Sequence, residues 1–419
     1  MAVLLPADWA YPLPKLRRVR QQFEAVTLAD PAARVREQLA ARGVRACVKP
    51  GARVAVGVGS RGIANLPLIV RTVLDVLREW GAEPFIVSAM GSHGNGNEAG
   101  QREVLAGYGI TEAAMGVPVV TTTESVLLGH TPSGVPVWFD KAALAADLIV
   151  PINRIKLHTD FIGPLQSGLC KMLVIGLGNQ QGCTTIHDAP PAQFAAVLEA
   201  AARVILAQAP VGFGVGILEN AYDRTADIQV LPAASLIAEE KALVQRATGL
   251  MPRIMFPDID VLIMREIGKD VSGAGFDPNI VGRSSARDQF TVPIPAIRRM
   301  VLLGVTPQSH GNGIGIGLFD VMLREIFPTL DLEAIYTNAV ACRCIADARI
   351  PLMADSEEEA VRIALKSCRG LDYEHLKIVR IKNTLSLGEI EVSPALFPVI
   401  EQTPQLTLLE EEAGYGAKG

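Results

Sequence analysis

Three short stretches gather reactive side chains in this sequence. Asn153-Arg154-Ile155-Lys156-Leu157-His158-Thr159-Asp160, Ser167-Gly168-Leu169-Cys170-Lys171-Met172 and Thr184-Thr185-Ile186-His187 place two histidines, two lysines and several hydroxyls in an otherwise apolar region. His158 follows a strand-like run, where an imidazole suits proton transfer at neutral pH; the alternative is an ordinary surface-loop histidine. Lys171 interrupts the apolar run 169–177. Such a lysine either snorkels or is kept as a nucleophile by its apolar surroundings. His187 can ligate a metal through either ring nitrogen, and Cys183 four residues earlier gives a C-x-x-x-H half-site. Structural zinc needs four ligands, however, and the other cysteines (Cys47, Cys170, Cys342, Cys344, Cys368) show no C-x-x-C pairing. Cys183 therefore reads as a small buried residue, and the cysteines as reduced thiols without disulfides.

Two glycine-rich loops add candidates. Gly57-Val58-Gly59-Ser60-Arg61-Gly62 matches G-x-G-x-x-G between a strand-like and a helix-like segment. A dinucleotide fold also needs an acidic residue at the end of the second strand, about 20 residues on. Here that strand ends at Ala89-Met90 and runs into Gly91-Ser92-His93, while Glu83 precedes it. Glycines that let backbone turn or approach a ligand explain the loop better than NAD binding. Arg61 either grips a carboxylate or phosphate through two parallel hydrogen bonds or is simply solvated. The pentapeptide Ser92-His93-Gly94-Asn95-Gly96 recurs as Ser309-His310-Gly311-Asn312-Gly313, each copy after a strand-like run. The copies are either tight turns or histidine-bearing loops facing each other across an interdomain cleft. No H-E-x-x-H, G-x-S-x-G or G-x-x-x-x-G-K-[ST] occurs, which argues against zinc proteases, serine hydrolases and P-loop ATPases.

The elements that must position these residues follow from periodicity. A buried strand at 53–59, a helix at 67–80 with apolar Ile69, Val73, Val76, Leu77 and Trp80, and a strand at 85–90 form a βαβ unit. Strand-like 147–152 and 212–217 alternate with an alanine-rich helix at 192–207. Met251-Pro252 and Phe256-Pro257 punctuate a linker. Beyond it come strands at 259–264 and 300–305, a glycine-rich loop at 269–283, and helices at 314–326 and 357–366, the last opened by Ser356 and Glu359 at capping-box spacing. The expected fold class is therefore α/β, with two α/β domains, 1–251 and 256–419, an active-site cleft between them, and the last residues packing back on the first domain. A chain of 419 residues with 49% hydrophobic and 20% charged residues can bury a large core. Its net charge of −5 provides no field to hold nucleic acid. No apolar run reaches the roughly 20 residues a bilayer needs, and the start lacks a signal-peptide pattern, so a cytoplasmic protein is expected.

At these residues the chain resembles a divergent branch of the nickel-dependent lactate racemase family, over most of its length. Members bind a nickel-pincer nucleotide derived from nicotinic acid and tethered to a lysine. The signposts are Ser60-Arg61, Gly91-Ser92-His93, His158, and Lys171 followed sixteen residues later by His187. The resemblance implies that Lys171 carries the cofactor covalently, flanked by Gly168 and with Ser60 also at the cofactor. It implies further that His187 ligates nickel, that His93 and His158 are the acid/base pair, and that Arg61 holds the substrate carboxylate. Lys269, Arg283 and His310 on the second domain would close over a small 2-hydroxy acid. The second nitrogen of the nickel ligand would be held by Asp188 or a backbone carbonyl. Gly57-Val58-Gly59-Ser60 stands where the racemases have an Asp-His-Thr type lead-in to the arginine, and Ser167-Gly168-Leu169-Cys170 where they have a Gly-Gly-Pro type lead-in to the lysine. Gly268-Lys269-Asp270-Val271-Ser272-Gly273 and Thr306-Pro307-Gln308-Ser309-His310-Gly311 resemble that divergent branch, which argues against lactate itself and for a larger hydroxy acid or sugar acid as the substrate.

The chemistry gives these parts a reason. Inverting a 2-hydroxy acid by deprotonation would leave a carbanion beside a carboxylate, whereas removing hydride to a pyridinium-type ring leaves a planar 2-oxo acid. Because the enantiomers present their hydroxyls in different directions, two histidines on separate loops are required. A second reading keeps the fold without nickel, as a lyase or dehydratase or a nucleotide- or metabolite-binding protein; an NAD-dependent oxidoreductase ranks last.

Overall fold

The computed structural model describes residues 3–60 and 62–416, and the chain forms two compact units, one of Met1–Glu24 with Pro252–Gly419 and one of Ala25–Met251. Arg61 lies outside the described residues. The first strand, β1 (Leu16–Gln21), pairs antiparallel with two strands from the far end of the chain. The opening residues thus belong to the later unit, where the sequence analysis groups them with the first.

The unit of Ala25–Met251 is built on β2 (Arg53–Val58), β3 (Glu83–Ser88), β4 (Val119–Val120), β7 (Leu148–Arg154), β8 (Phe213–Glu219) and β9 (Thr225–Pro232). Their order in the sheet is β4-β3-β2-β7-β8-β9, while β5 (Ser125–His130) and β6 (Pro136–Asp140) form a separate hairpin. All neighbours in the large sheet run parallel except β8 and β9. Parallel strands covered on both faces read as continuous apolar runs, and Val54, Ala55, Val56 and Val58 of β2 are all fully buried. The helix Leu66–Glu79 begins after Asn65, held at φ 60°, with Pro67 in its first turn. It buries Ile69, Val70, Val73, Leu74 and Leu77 against the sheet. Each such side chain contributes about 1.5–3 kcal/mol, so a charged residue at Val73 would break this layer.

Connections leave β2 in both directions: β3 and β4 lie to one side, β7 and β8 to the other. Their junction is a topological switch point, and open α/β sheets bind ligands outside the carboxyl ends of their strands at such a point. The loops after β2, β3 and β7 are those that carry Ser60, His93 and His158.

The other unit has an eight-stranded sheet containing β10 (Asp258–Met264), β11 (Ala296–Leu302), β12 (Val321–Leu323), β13 (Leu352–Ala354), β14 (Ile378–Ile381), β15 (Glu389–Val392) and β16 (Leu406–Ala413), in the order β13-β12-β11-β10-β14-β15-β1-β16. The helix Glu357–Lys366 is capped by Ser356, whose Oγ accepts from the Glu359 amide at 3.2 Å. The helix expected at 314–326 is not formed: a 3-10 turn (Ile316–Leu318), β12 and a second 3-10 segment (Arg324–Thr329) occupy it. The glycines decide this. Gly315 sits at φ 96°, and a Cβ on Gly317 would lie 2.0 Å from the Ala346 carbonyl oxygen. Among the described residues no helix is long and apolar enough to cross a membrane.

Candidate active site

Lys171 stands at the end of a single helical turn, Leu169–Lys171, that continues into a π-helical turn, Met172–Gly176, and then into the helix Asn179–His187. Residues 172–179 are all buried while Lys171 itself is half-buried. The turn is seated from two directions. Asn153 at the end of β7 donates its side-chain amide to the Gly168 carbonyl at 3.0 Å, and Gly91 after β3 donates its N–H to the Gly176 carbonyl at 3.0 Å. Gly91 is at φ 60°, with the Ile175 carbonyl oxygen only 3.0 Å from where a Cβ would stand. A side chain there would push the His93 loop off the Lys171 segment.

Beneath the turn lies a residue the sequence analysis missed. Glu240, on the helix Leu236–Leu250, is fully buried; its Oε2 accepts the Cys170 N–H at 2.8 Å, and Oε1 has no hydrogen-bond partner. Burial pushes its carboxyl up to about 7, against opposing bonds from Cys170 and Leu169. Gly168 is a glycine for this reason: a Cβ there would lie 2.0 Å from Glu240 Oε1. Burial likewise holds the Cys170 thiol well above its ordinary range.

His158 reaches the same place by a closed loop. After β7, Lys156 and Ser167 form an antiparallel bridge, which folds 157–166 into a turn-back. The Gln166 Oε1 accepts the His158 amide at 2.7 Å, and the ring stacks on Phe161 with centroids 4.3 Å apart. His158 Nε2 is 2.7 Å from Lys171 Nζ, and its Nδ1 accepts the Asp160 amide at 3.0 Å. Phe161 packs on Phe194 at 4.3 Å, and Phe194 meets the His187 ring edge-on at 5.3 Å. A continuous line of rings thus joins His158 to His187.

His187 ends the helix Asn179–His187. Its Nδ1 donates to the Cys183 carbonyl at 2.7 Å, which leaves Nε2 as the nitrogen able to accept. Cys183 Sγ lies 3.5 Å from the same Nδ1 and 3.5 Å from Ser92 Oγ. Although His187 is exposed overall, neighbouring protein withdraws water from its ring and pulls its pKa down; Cys183 outweighs this, and the net shift is upward. For Cys183 burial pushes the thiol up, but His187 and Ser92 bring it below its ordinary value.

His93, exposed on the loop after β3, holds Ser60 Oγ at 2.5 Å through Nδ1, and the Tyr108 hydroxyl donates to the Ser60 carbonyl at 3.3 Å. Ser60, Gly168, His93, His158, Lys171 and His187 therefore all lie on the segments that end or border the central strands of this unit. Lys269 and His310 belong to the other unit. Lys269 Nζ donates to the Gly273 carbonyl and to Asn338 Oδ1, at 2.8 and 2.6 Å. Arg283 is tied to Asp320 at 2.7 Å and to the Leu318 carbonyl at 2.9 Å. His310 is exposed at φ 47°, whereas His93 has φ −68°, so the two pentapeptide copies do not share a backbone shape. Among the described residues no three His, Cys, Asp or Glu side chains converge as a metal-binding cluster. The residues do fit a ligand that brings most of its own donors: one imidazole with its accepting nitrogen fixed, and one amine nearby.

Residues 13–196 match the family model of the lactate racemase N-terminal domain. No curated protein matches the sequence. Among solved structures, the lactate racemase apoprotein from Thermoanaerobacterium thermosaccharolyticum superposes with a TM-score of 0.53 at 13% identity, over 92% of this chain and 96% of that one. The chain thus has the fold of that apoprotein, and its residues 13–196 are similar to the lactate racemase N-terminal domain.

Proposed function

We propose that the chain is a racemase or epimerase of a small 2-hydroxy acid, working through a nickel-pincer nucleotide tethered to Lys171. The observation that carries this reading is the convergence of Lys171, His158 and His187, with Lys171 Nζ 2.7 Å from His158 Nε2 and a line of ring contacts leading to His187. The cofactor, when bound, supplies a ring that can accept and return a hydride.

The chain's residues do the rest. His187 offers Nε2 to nickel because the Cys183 carbonyl takes its Nδ1 proton. The contact of Nδ1 with the Cys183 carbonyl supports a backbone carbonyl as the partner of that nitrogen. With Nδ1–H donated to Ser60 Oγ, His93 presents Nε2 as a base for the substrate hydroxyl. His158 rests with Nδ1 accepting the Asp160 amide and its proton on Nε2, and serves as the second acid/base once that contact opens and Nδ1 can carry a proton. The roles exchange for the other enantiomer. Arg61 holds the substrate carboxylate.

The test is racemisation of single enantiomers of 2-hydroxy acids in D2O by protein co-produced with the cofactor-synthesis enzymes. Inversion with protium retained at C2 is expected. Deuterium entering C2 would show proton abstraction and overturn the reading.

A further inference from the structure

The two histidines that flank Lys171 are locked in opposite tautomers, and this has a consequence for the lysine. His158 Nδ1 accepts the Asp160 backbone N–H at 3.0 Å. A nitrogen that accepts a hydrogen bond bears no proton, so the neutral ring must carry its proton on Nε2. Nε2 faces Lys171 Nζ at 2.7 Å. An ammonium there would need a lone pair on Nε2, which would leave the ring with no proton on either nitrogen. A protonated imidazolium would put N–H against N–H at Asp160. The arrangement that satisfies both contacts has Nε2–H donating to the lone pair of a neutral amine.

We infer that the Asp160 amide, acting through His158, holds Lys171 as the free amine at neutral pH, poised to be acylated. This rests on the reading of Lys171 as the tether and says how that tether is armed. Titratable groups near the turn include, among the described residues, His158 on the loop after β7, His187 on the following helix and Glu240 beneath. Phe161 fixes the His158 ring by stacking.

In the acylation step the Nζ lone pair forms a bond to an activated acyl carbon. The leaving group departs with the electrons of the bond that breaks, and the proton shed by Nζ goes to water. The resulting amide nitrogen delocalises its lone pair and no longer accepts, so the His158 Nε2–H is released.

The probe is N-hydroxysuccinimidyl acetate on the full-length protein free of cofactor, with peptide mass spectrometry giving a rate for each lysine between pH 7 and 9. Only about a thousandth of an ordinary lysine is free base near pH 7.4, so ordinary rates rise about tenfold per pH unit. Lys171 should rise less than threefold over the whole range, and a slope is insensitive to how open the site is. His158→Phe keeps the stack on Phe161 and should return Lys171 to the ordinary slope; the wild-type profile decides if that variant misfolds. Nitrogen-15 NMR of His158 should show protonated Nε2 and bare Nδ1. A Lys171 rate that climbs as for other lysines, or a proton on Nδ1, overturns the inference. Fast acetylation with no cofactor adduct after co-production would sink the tether reading and leave the free amine standing.

Discussion

Replacing Glu240 with glutamine removes an ionisable group from the middle of an apolar core while keeping an oxygen to accept the Cys170 N–H. Burial raises the wild-type carboxyl from an ordinary 4.5 to about 7. Because the folded value lies above the unfolded one, the native state binds the extra proton between them. Its contribution is complete below about pH 4.5 and is lost as pH rises through about 7. With about 1.4 kcal/mol per tenfold in proton affinity, the wild type loses roughly 3 kcal/mol between pH 5 and 8 from this group. For a unit of this size that is about 6–12 °C in the unfolding midpoint. The assay is thermal unfolding from pH 5 to 8, with hydrogen exchange at Leu169 and Cys170 assigning the transition to the Lys171 unit. The glutamine variant should equal or fall slightly below the wild type at pH 5 and exceed it at pH 8. Parallel pH profiles for the two proteins would refute the reasoning.

Other substitutions probe neighbouring contacts. Gly168→Ala drives a Cβ to 2.0 Å from Glu240 Oε1 and should cost about 1–3 kcal/mol as overpacking, read by denaturant unfolding; pairing it with Glu240→Ala should recover at least part, and a neutral single variant would contradict the packing. Phe161→Ala should cost about 3–5 kcal/mol and also raise the mobility of the His158 ring by NMR relaxation, since that ring rests on it. His187→Ala should slow iodoacetamide alkylation of Cys183 at pH 7, because His187 and Ser92 bring that thiol below its ordinary value; an unchanged rate would show the pair is not formed in solution.

Much of the fold was legible where local signals were strong. The βαβ unit of β2, Leu66–Glu79 and β3 shows in continuous apolar strands and a clear helical period. β1 was not legible, because its partners lie some 370 to 395 residues away and pairing at that distance leaves no local mark. The run 314–326 misled because a short apolar stretch fits helix and strand equally, and its glycines were needed for close backbone packing. Within the site, the order of reactive residues could be read, but their supports could not. Glu240 follows Glu239 and looks like a solvated pair, yet it falls on the stripe of Leu236, Leu243, Val244 and Ala247, all buried. That spacing was the available signal. Phe161 and Phe194 carried none, since only the folded loop shows which rings they touch.

The central claim is that Lys171 and His187 jointly hold one nickel-bearing group. Its most direct measurement is peptide mass spectrometry and nickel quantification on protein co-produced with the cofactor-synthesis enzymes, for the wild type, Lys171→Arg and His187→Ala. The account predicts an adduct on the Lys171 peptide with about one nickel per chain, no adduct in the lysine variant, and an adduct with depleted nickel in the histidine variant. A wild-type Lys171 peptide of unmodified mass and no bound nickel would contradict it.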